Sequence, residues 1–159
     1  LLWKTFCARL TSCRPSNRAG RRNCWRNAAL SRRRSLPKRR AINGCPTGQA
    51  RITPGFRLPA TWIIHTVGPV WRGGARGEPE LLASCYRESL KIARESDLRS
   101  IAFPCISTGV YGYPQAGAAQ IAVAEARRAA AEPSNLNEII FCCFLEEDER
   151  IYQQLLGTS

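Results

Sequence analysis

Ile101-Ala102-Phe103-Pro104-Cys105-Ile106-Ser107-Thr108-Gly109-Val110-Tyr111-Gly112-Tyr113-Pro114 is the stretch that decides the fold. Its first six residues form an apolar run, with a strand read over 99–104, and an alanine-rich segment of helical character follows the loop. A loop that leaves a strand and feeds a helix is where α/β proteins bind ligands. This loop carries the glycines Gly109 and Gly112, the small hydroxyl residues Ser107 and Thr108, and the tyrosines Tyr111 and Tyr113. Glycine lets backbone approach a ligand closely, and consecutive free N–H groups form an anion-sized concavity. The helix N-terminus adds partial positive charge. The two tyrosines are placed to wall off a sugar or a ring. The pattern points to a phosphate-bearing small molecule. A tight connection that needs glycine only for its turns is the competing reading.

Working outward, residues 137–144 read as a further strand, and 147–156 as a last helix with Ile151, Tyr152, Leu155 and Leu156 on its apolar side. Residues 115–131 read as a helix with Ile121 and Val123. Upstream, Leu82, Cys85, Tyr86, Leu90 and Ala93 recur at helical spacing up to about Glu95. Residues 71–77 are a polar, glycine-rich loop. Residues 61–67 are β-branched and aromatic, stop at Gly68-Pro69, and read as a buried strand. Gly44-Cys45-Pro46-Thr47-Gly48 is a turn signal, and 49–53 a short strand. From residue 61 the order is strand, helix, strand, helix, strand, helix. That alternation predicts parallel strands joined by right-handed crossovers.

The chain's 159 residues predict one domain. The net charge of +12 is unevenly spread. Residues 1–50 hold 13 of the 24 Lys and Arg and no Asp or Glu, whereas 51–159 hold 11 basic and 12 acidic residues. The second part has the balance of an ordinary soluble domain, and the first does not. No apolar run approaches the roughly 20 residues of a membrane span. The eight cysteines show no ligand spacing and accompany one histidine, so no metal site is expected and reduced thiols are. His65 lies in an apolar strand with no nucleophile or acid set beside it by spacing. Cys105 has nothing basic nearby. Neither reads as catalytic, and no catalytic residue is identifiable. No Met occurs, position 1 included, so the chain is expected to begin downstream of an initiator residue.

Four segments in order resemble the macrodomain family: 45–53 (Cys-Pro-Thr-Gly-Gln-Ala-Arg-Ile-Thr), Leu58-Pro59-Ala60, 64–69 (Ile-His-Thr-Val-Gly-Pro) and 107–114. The resemblance covers about residues 44–157. It is nearest the branch that deacetylates O-acetyl-ADP-ribose and removes mono-ADP-ribose from proteins. It implies an α/β fold with a mixed sheet flanked by helices and ADP-ribose in a cleft at one end. Ser107, Thr108, Gly109, Val110, Tyr111 and Gly112 look like the family's second phosphate loop, with Tyr111 along the distal ribose. Phe144 matches the aromatic position that stacks on adenine; plain core packing is the other reading of that residue. ADP-ribose or O-acetyl-ADP-ribose is the implied ligand, ADP-ribosylated proteins are further partners, and no cofactor is implied.

The same branch carries an adenine-reading acid, an Asn-Ala-Ala-Asn segment and a first phosphate loop with a catalytic Asp. None is found in residues 1–43, which contain no acid. The N-terminal strands and helix are therefore read as missing or scrambled. Residues 1–43 are taken as a basic segment, disordered or frame-disrupted, and 44–159 as the macrodomain's C-terminal two-thirds. One permissible codon set for residues 22–28, read one base earlier, gives Glu-Lys-Leu-Leu-Ala-Glu-Cys, which resembles the family's helix at that point. A mitochondrial transit peptide and a nucleic-acid-binding arm are the competing readings of residues 1–40. The arm lacks the interleaved aromatics that single-strand binders use. A cytoplasmic location is expected, or a mitochondrial one if the transit reading holds. The functional expectation is an ADP-ribose-binding domain with weak or no hydrolysis, with a non-catalytic ADP-ribose reader as the alternative.

Overall fold

A computed structural model describes residues 44–157. The readings made above for residues 1–43 lie outside the described residues. The elements, in order, are β1 (Ala50–Pro54), β2 (Trp62–Thr66), α1 (Glu78–Glu95), β3 (Ser100–Pro104), α2 (Gln115–Ala130), β4 (Glu138–Cys142) and α3 (Glu146–Leu156). Every predicted helix and strand in this region forms, within a residue or two of its expected ends. The turn at residues 45–48 is pinned from three sides. Gly48 N–H donates to Val67 O, Gln49 N–H to Pro46 O, and the Ser84 hydroxyl on α1 to Gly48 O.

The strands form two pairs. β1 and β2 are antiparallel, with Ile52 opposite Ile64, and β3 and β4 are parallel, with Ala102 opposite Ile140. The crossover between β3 and β4 runs through α2, as the alternation requires. The expectation of parallel strands from residue 61 onward is met by the β3–β4 pair; among the described residues β2 joins neither of those strands. Among the described residues its ladder partner is β1, which returns on it through the short turn-rich connection at 55–61. Alternation of element types carries no information about which strands are neighbours. β2 is also half-buried rather than buried, and Trp62 at its start is exposed.

The core lies between the β3–β4 pair and the helices. Leu82, Cys85, Tyr86, Leu90 and Ala93 of α1 are buried in it, as their spacing predicted. α2 contributes Ala118, Ala119, Ala122, Val123, Ala126 and Ala129, a small-residue face that seats it between α1 and α3. Aromatic rings run through the core in series. Tyr86 meets Phe103 at 5.0 Å, Phe103 stacks on Phe141 at 6.3 Å, and Phe141 meets Tyr152 of α3 at 4.6 Å. Burying side chains as large as Tyr86, Leu82 and Leu90 contributes about 1.5–3 kcal/mol each. α1 also touches β1 and β2, so it joins the two strand pairs.

Candidate functional site

The parallel register puts the carboxyl ends of β3 and β4 side by side, since Pro104 pairs with Cys142. The segments that follow them, 105–114 and 143–145, therefore leave the same end of the domain. A third segment joins them from the end of β2. Trp71 N–H donates to Tyr111 O at 2.9 Å, and Gly68 sits against Ile106 and Ser107. A Cβ at position 68 would stand 2.2 Å from Ser107 Oγ and 2.6 Å from Ile106 Cγ2, so only glycine fits there.

The 105–114 loop is held from within and beneath. Tyr113 N–H donates to Ser107 O, Gly112 N–H to Gly109 O, and the Thr108 hydroxyl to Cys105 O. Ile106 N–H donates to the Tyr86 hydroxyl, which ties the loop to the core. Ser107 has a φ of 66°, the left-handed region that costs a side-chain-bearing residue about 1–2 kcal/mol. Its hydroxyl is buried without a hydrogen-bond partner. Among the described residues, no backbone N–H from 107 to 111 meets an acceptor. Unpaired donors in consecutive residues, beside a strained residue, are what an anion-binding loop requires.

The predicted residues fall into place unevenly. Ser107, Thr108 and Tyr111 are half-buried, Gly112 and Val110 stand out at the tip, and Val110 is 95% exposed. Phe144 follows the end of β4 and is 76% exposed, with the exposed Leu145 beside it. It is not packed into the core. Tyr113, expected to help wall the ligand, is instead 4% exposed. Its ring packs on Trp71 at 4.5 Å, so it props the loop from below. The reason is the chain reversal at Gly112, which turns the next side chain inward. Gly68 and Trp71 belong to the site's surround; the sequence marked Gly68 as a strand stop within the 64–69 motif and Trp71 as the start of a loop, with no sign of their contact with residues 106–111.

His65 Nε2 lies 2.8 Å from Thr53 Oγ1 across the β1–β2 pair, and burial lowers its pKa. The Cys105 thiol is pushed up, first by Cys143, then by burial, then by Asp148. Glu78 opens α1 and closes the glycine-rich loop. Its carboxylate accepts the N–H groups of Arg72, Gly74 and Arg76 at 3.0, 3.3 and 2.6 Å. Hydrogen bonds from backbone N–H groups, its own first, hold that carboxyl below its ordinary range. Among the described residues, no group of three His, Cys, Asp or Glu side chains is arranged to hold a metal ion.

Fold and site together define an α/β domain with an open, donor-lined loop at the carboxyl end of a parallel strand pair and an exposed aromatic beside it. The chain belongs to the Macro domain family, which matches residues 30–122. The match starts within the basic N-terminal stretch, upstream of the point at which the motif resemblance begins. A Macro domain-containing protein of Chlorobaculum tepidum is 57% identical over 120 residues, covering 76% of this chain and 70% of its own. The ADP-ribose glycohydrolase MACROD2 of Mus musculus is 50% identical over 124 residues, 77% of this chain and 26% of that protein. The crystal structure of a Trypanosoma brucei macrodomain in complex with ADP-ribose matches with a TM-score of 0.67 and 43% identity. That match covers 74% of this chain and 49% of the other.

Proposed function

We propose that this chain binds ADP-ribose in the loop of residues 107–112, with the diphosphate on the N–H groups of 107–111, the distal ribose along Tyr111 and the adenine on Phe144. The observation that carries the reading is the run of unpaired backbone donors from Ser107 to Tyr111. The bound ADP-ribose of the Trypanosoma brucei relative supports the choice of ligand. An exposed aromatic at the end of the neighbouring strand suits the adenine, because a ring there costs nothing in the core and gains by stacking. The glycohydrolase among the relatives supports a hydrolytic ancestry. Residues 1–43 supply no acid, however, and neither His65 nor Cys105 is set up to activate water or attack. The chain as it stands is therefore a binder with little or no hydrolysis of ADP-ribosyl esters.

Two measurements separate these parts. In an NMR titration with ADP-ribose, the amide signals of Gly109, Val110 and Tyr111 should move first and farthest. A titration that saturates while leaving them in place would put the ligand elsewhere. Incubation with O-acetyl-ADP-ribose should release little acetate, and turnover at a rate normal for an enzyme would overturn the non-hydrolytic reading.

A further inference from the structure

The geometry points to Cys105 and Cys143 as a thiol pair that a hydroperoxide converts to a reversible disulfide, tying the root of the 105–114 loop to the root of the Phe144 segment. Phe103 and Phe141 pair directly across the parallel strands, and their rings stack on one face. Side chains alternate along a strand, so the next pair on that same face is Cys105 and Cys143. They lie one step beyond the last ladder pair, Pro104 and Cys142. Neighbouring strands run about 4.8 Å apart, inside the Cα separation of roughly 4.4–6.8 Å that a disulfide spans. Both thiols are free, half-buried and packed at the edge of the core. The Cys105 thiol contacts Cys142 O at 3.7 Å and interacts with the Cys143 sulfur.

The chemistry balances with one equivalent of hydroperoxide. Cys143, next to the exposed Phe144, is taken as the first to react. Its sulfur attacks a peroxide oxygen; an S–O bond forms, the O–O bond breaks, and the thiol proton leaves with the departing oxygen. Cys105 sulfur then attacks the sulfenic sulfur of Cys143; the S–S bond forms and the S–O bond breaks. The Cys105 proton leaves with that hydroxyl as water. Two thiols lose two electrons and two protons, and one hydrogen peroxide becomes two waters. A small dithiol reverses the step. Contracting two sulfurs from contact to about 2.05 Å moves both segment roots. The consequence for ligand binding rests on the ADP-ribose reading above.

The test uses the full 159-residue chain, fully reduced and then treated briefly with equimolar hydrogen peroxide. Intact mass should fall by two hydrogens, and a non-reducing digest should yield a peptide pair joined through Cys105 and Cys143. Dithiothreitol should undo it. Cys142→Ser, changed one residue away, should still form the link, and Cys105→Ser and Cys143→Ser should each lose it. A link through other cysteines, or sulfinic acid in place of a link, overturns the pair. If the link forms, the oxidised chain should bind ADP-ribose about tenfold more weakly than the reduced chain. Equal affinities would overturn the coupling. A reduced chain that binds no ADP-ribose would instead overturn the ligand assignment, with the mapped link still deciding the pair.

Discussion

Gly68, just past β2, is where that strand's end touches the 105–114 loop, and it has no room for a side chain. Gly68→Ala would put a methyl 2.2 Å from Ser107 Oγ, so either the loop or the strand end must shift. Overpacking of this kind costs about 1–3 kcal/mol. Urea unfolding should show a loss in that range, and ADP-ribose affinity should fall with it because Ser107 moves. Unchanged stability and affinity would mean that the loop tolerates displacement. The sequence marked Gly68-Pro69 as a strand stop and Ser107 as a loop residue. Their contact joins positions far apart in the chain, which no local pattern encodes. Tyr113 failed for a related reason: residue type says aromatic, but the turn at Gly112 decides which way the ring faces.

At the scale of elements, α1 shows how charge is used on two different terms. At its start, Glu78 is buried and gathers three loop N–H groups. Its carboxyl is held below the ordinary range, so its contribution is present above that range and is lost as pH falls toward the lowered value. The protection of the Arg72, Gly74 and Arg76 amides should therefore hold through the ordinary glutamate range and fall only below it. Glu78→Gln, which cannot accept on both arms, should expose the same amides already at pH 7; protection independent of both would remove Glu78 as the organiser. Further along α1, Arg87 binds two carboxylates of unequal worth. Glu125 on α2 is 6% exposed and lies 3.2 Å away, while Glu80 is 73% exposed and lies 3.1 Å away. Arg87→Ala leaves a buried carboxylate with only the more exposed Arg128 at 3.5 Å, and should cost about 1–3 kcal/mol. Glu80→Ala should cost under about 1 kcal/mol, since exposed pairs are weak. Thermal melts of the two variants decide this, and equal losses would contradict it. Helices were legible because apolar spacing is a local signal. The β1–β2 pairing was not, because element order alone does not name a strand's neighbour.

For the whole molecule, two strand pairs share one connecting helix. Leu82, Cys85, Tyr86 and Leu90 put the hub of the core on α1, whose contacts reach both pairs. Sequence periodicity named those hub residues, and the four motifs named the family. The sequence motifs also placed the loop and Phe144 at neighbouring strand ends, and the register brings those ends together. Binding of ADP-ribose by the donor-lined loop is the central claim. Isothermal titration calorimetry of the full chain with ADP-ribose tests it most directly, run beside Phe144→Ala. Phe144 is largely exposed, so its loss should lower the melting temperature only slightly. Stacking of a base on an aromatic is worth about 1–3 kcal/mol, so affinity should fall about tenfold or more. One-site, saturable binding that weakens in this way is the result expected. A folded chain that takes up no ADP-ribose, or one whose affinity ignores Phe144, would contradict the account.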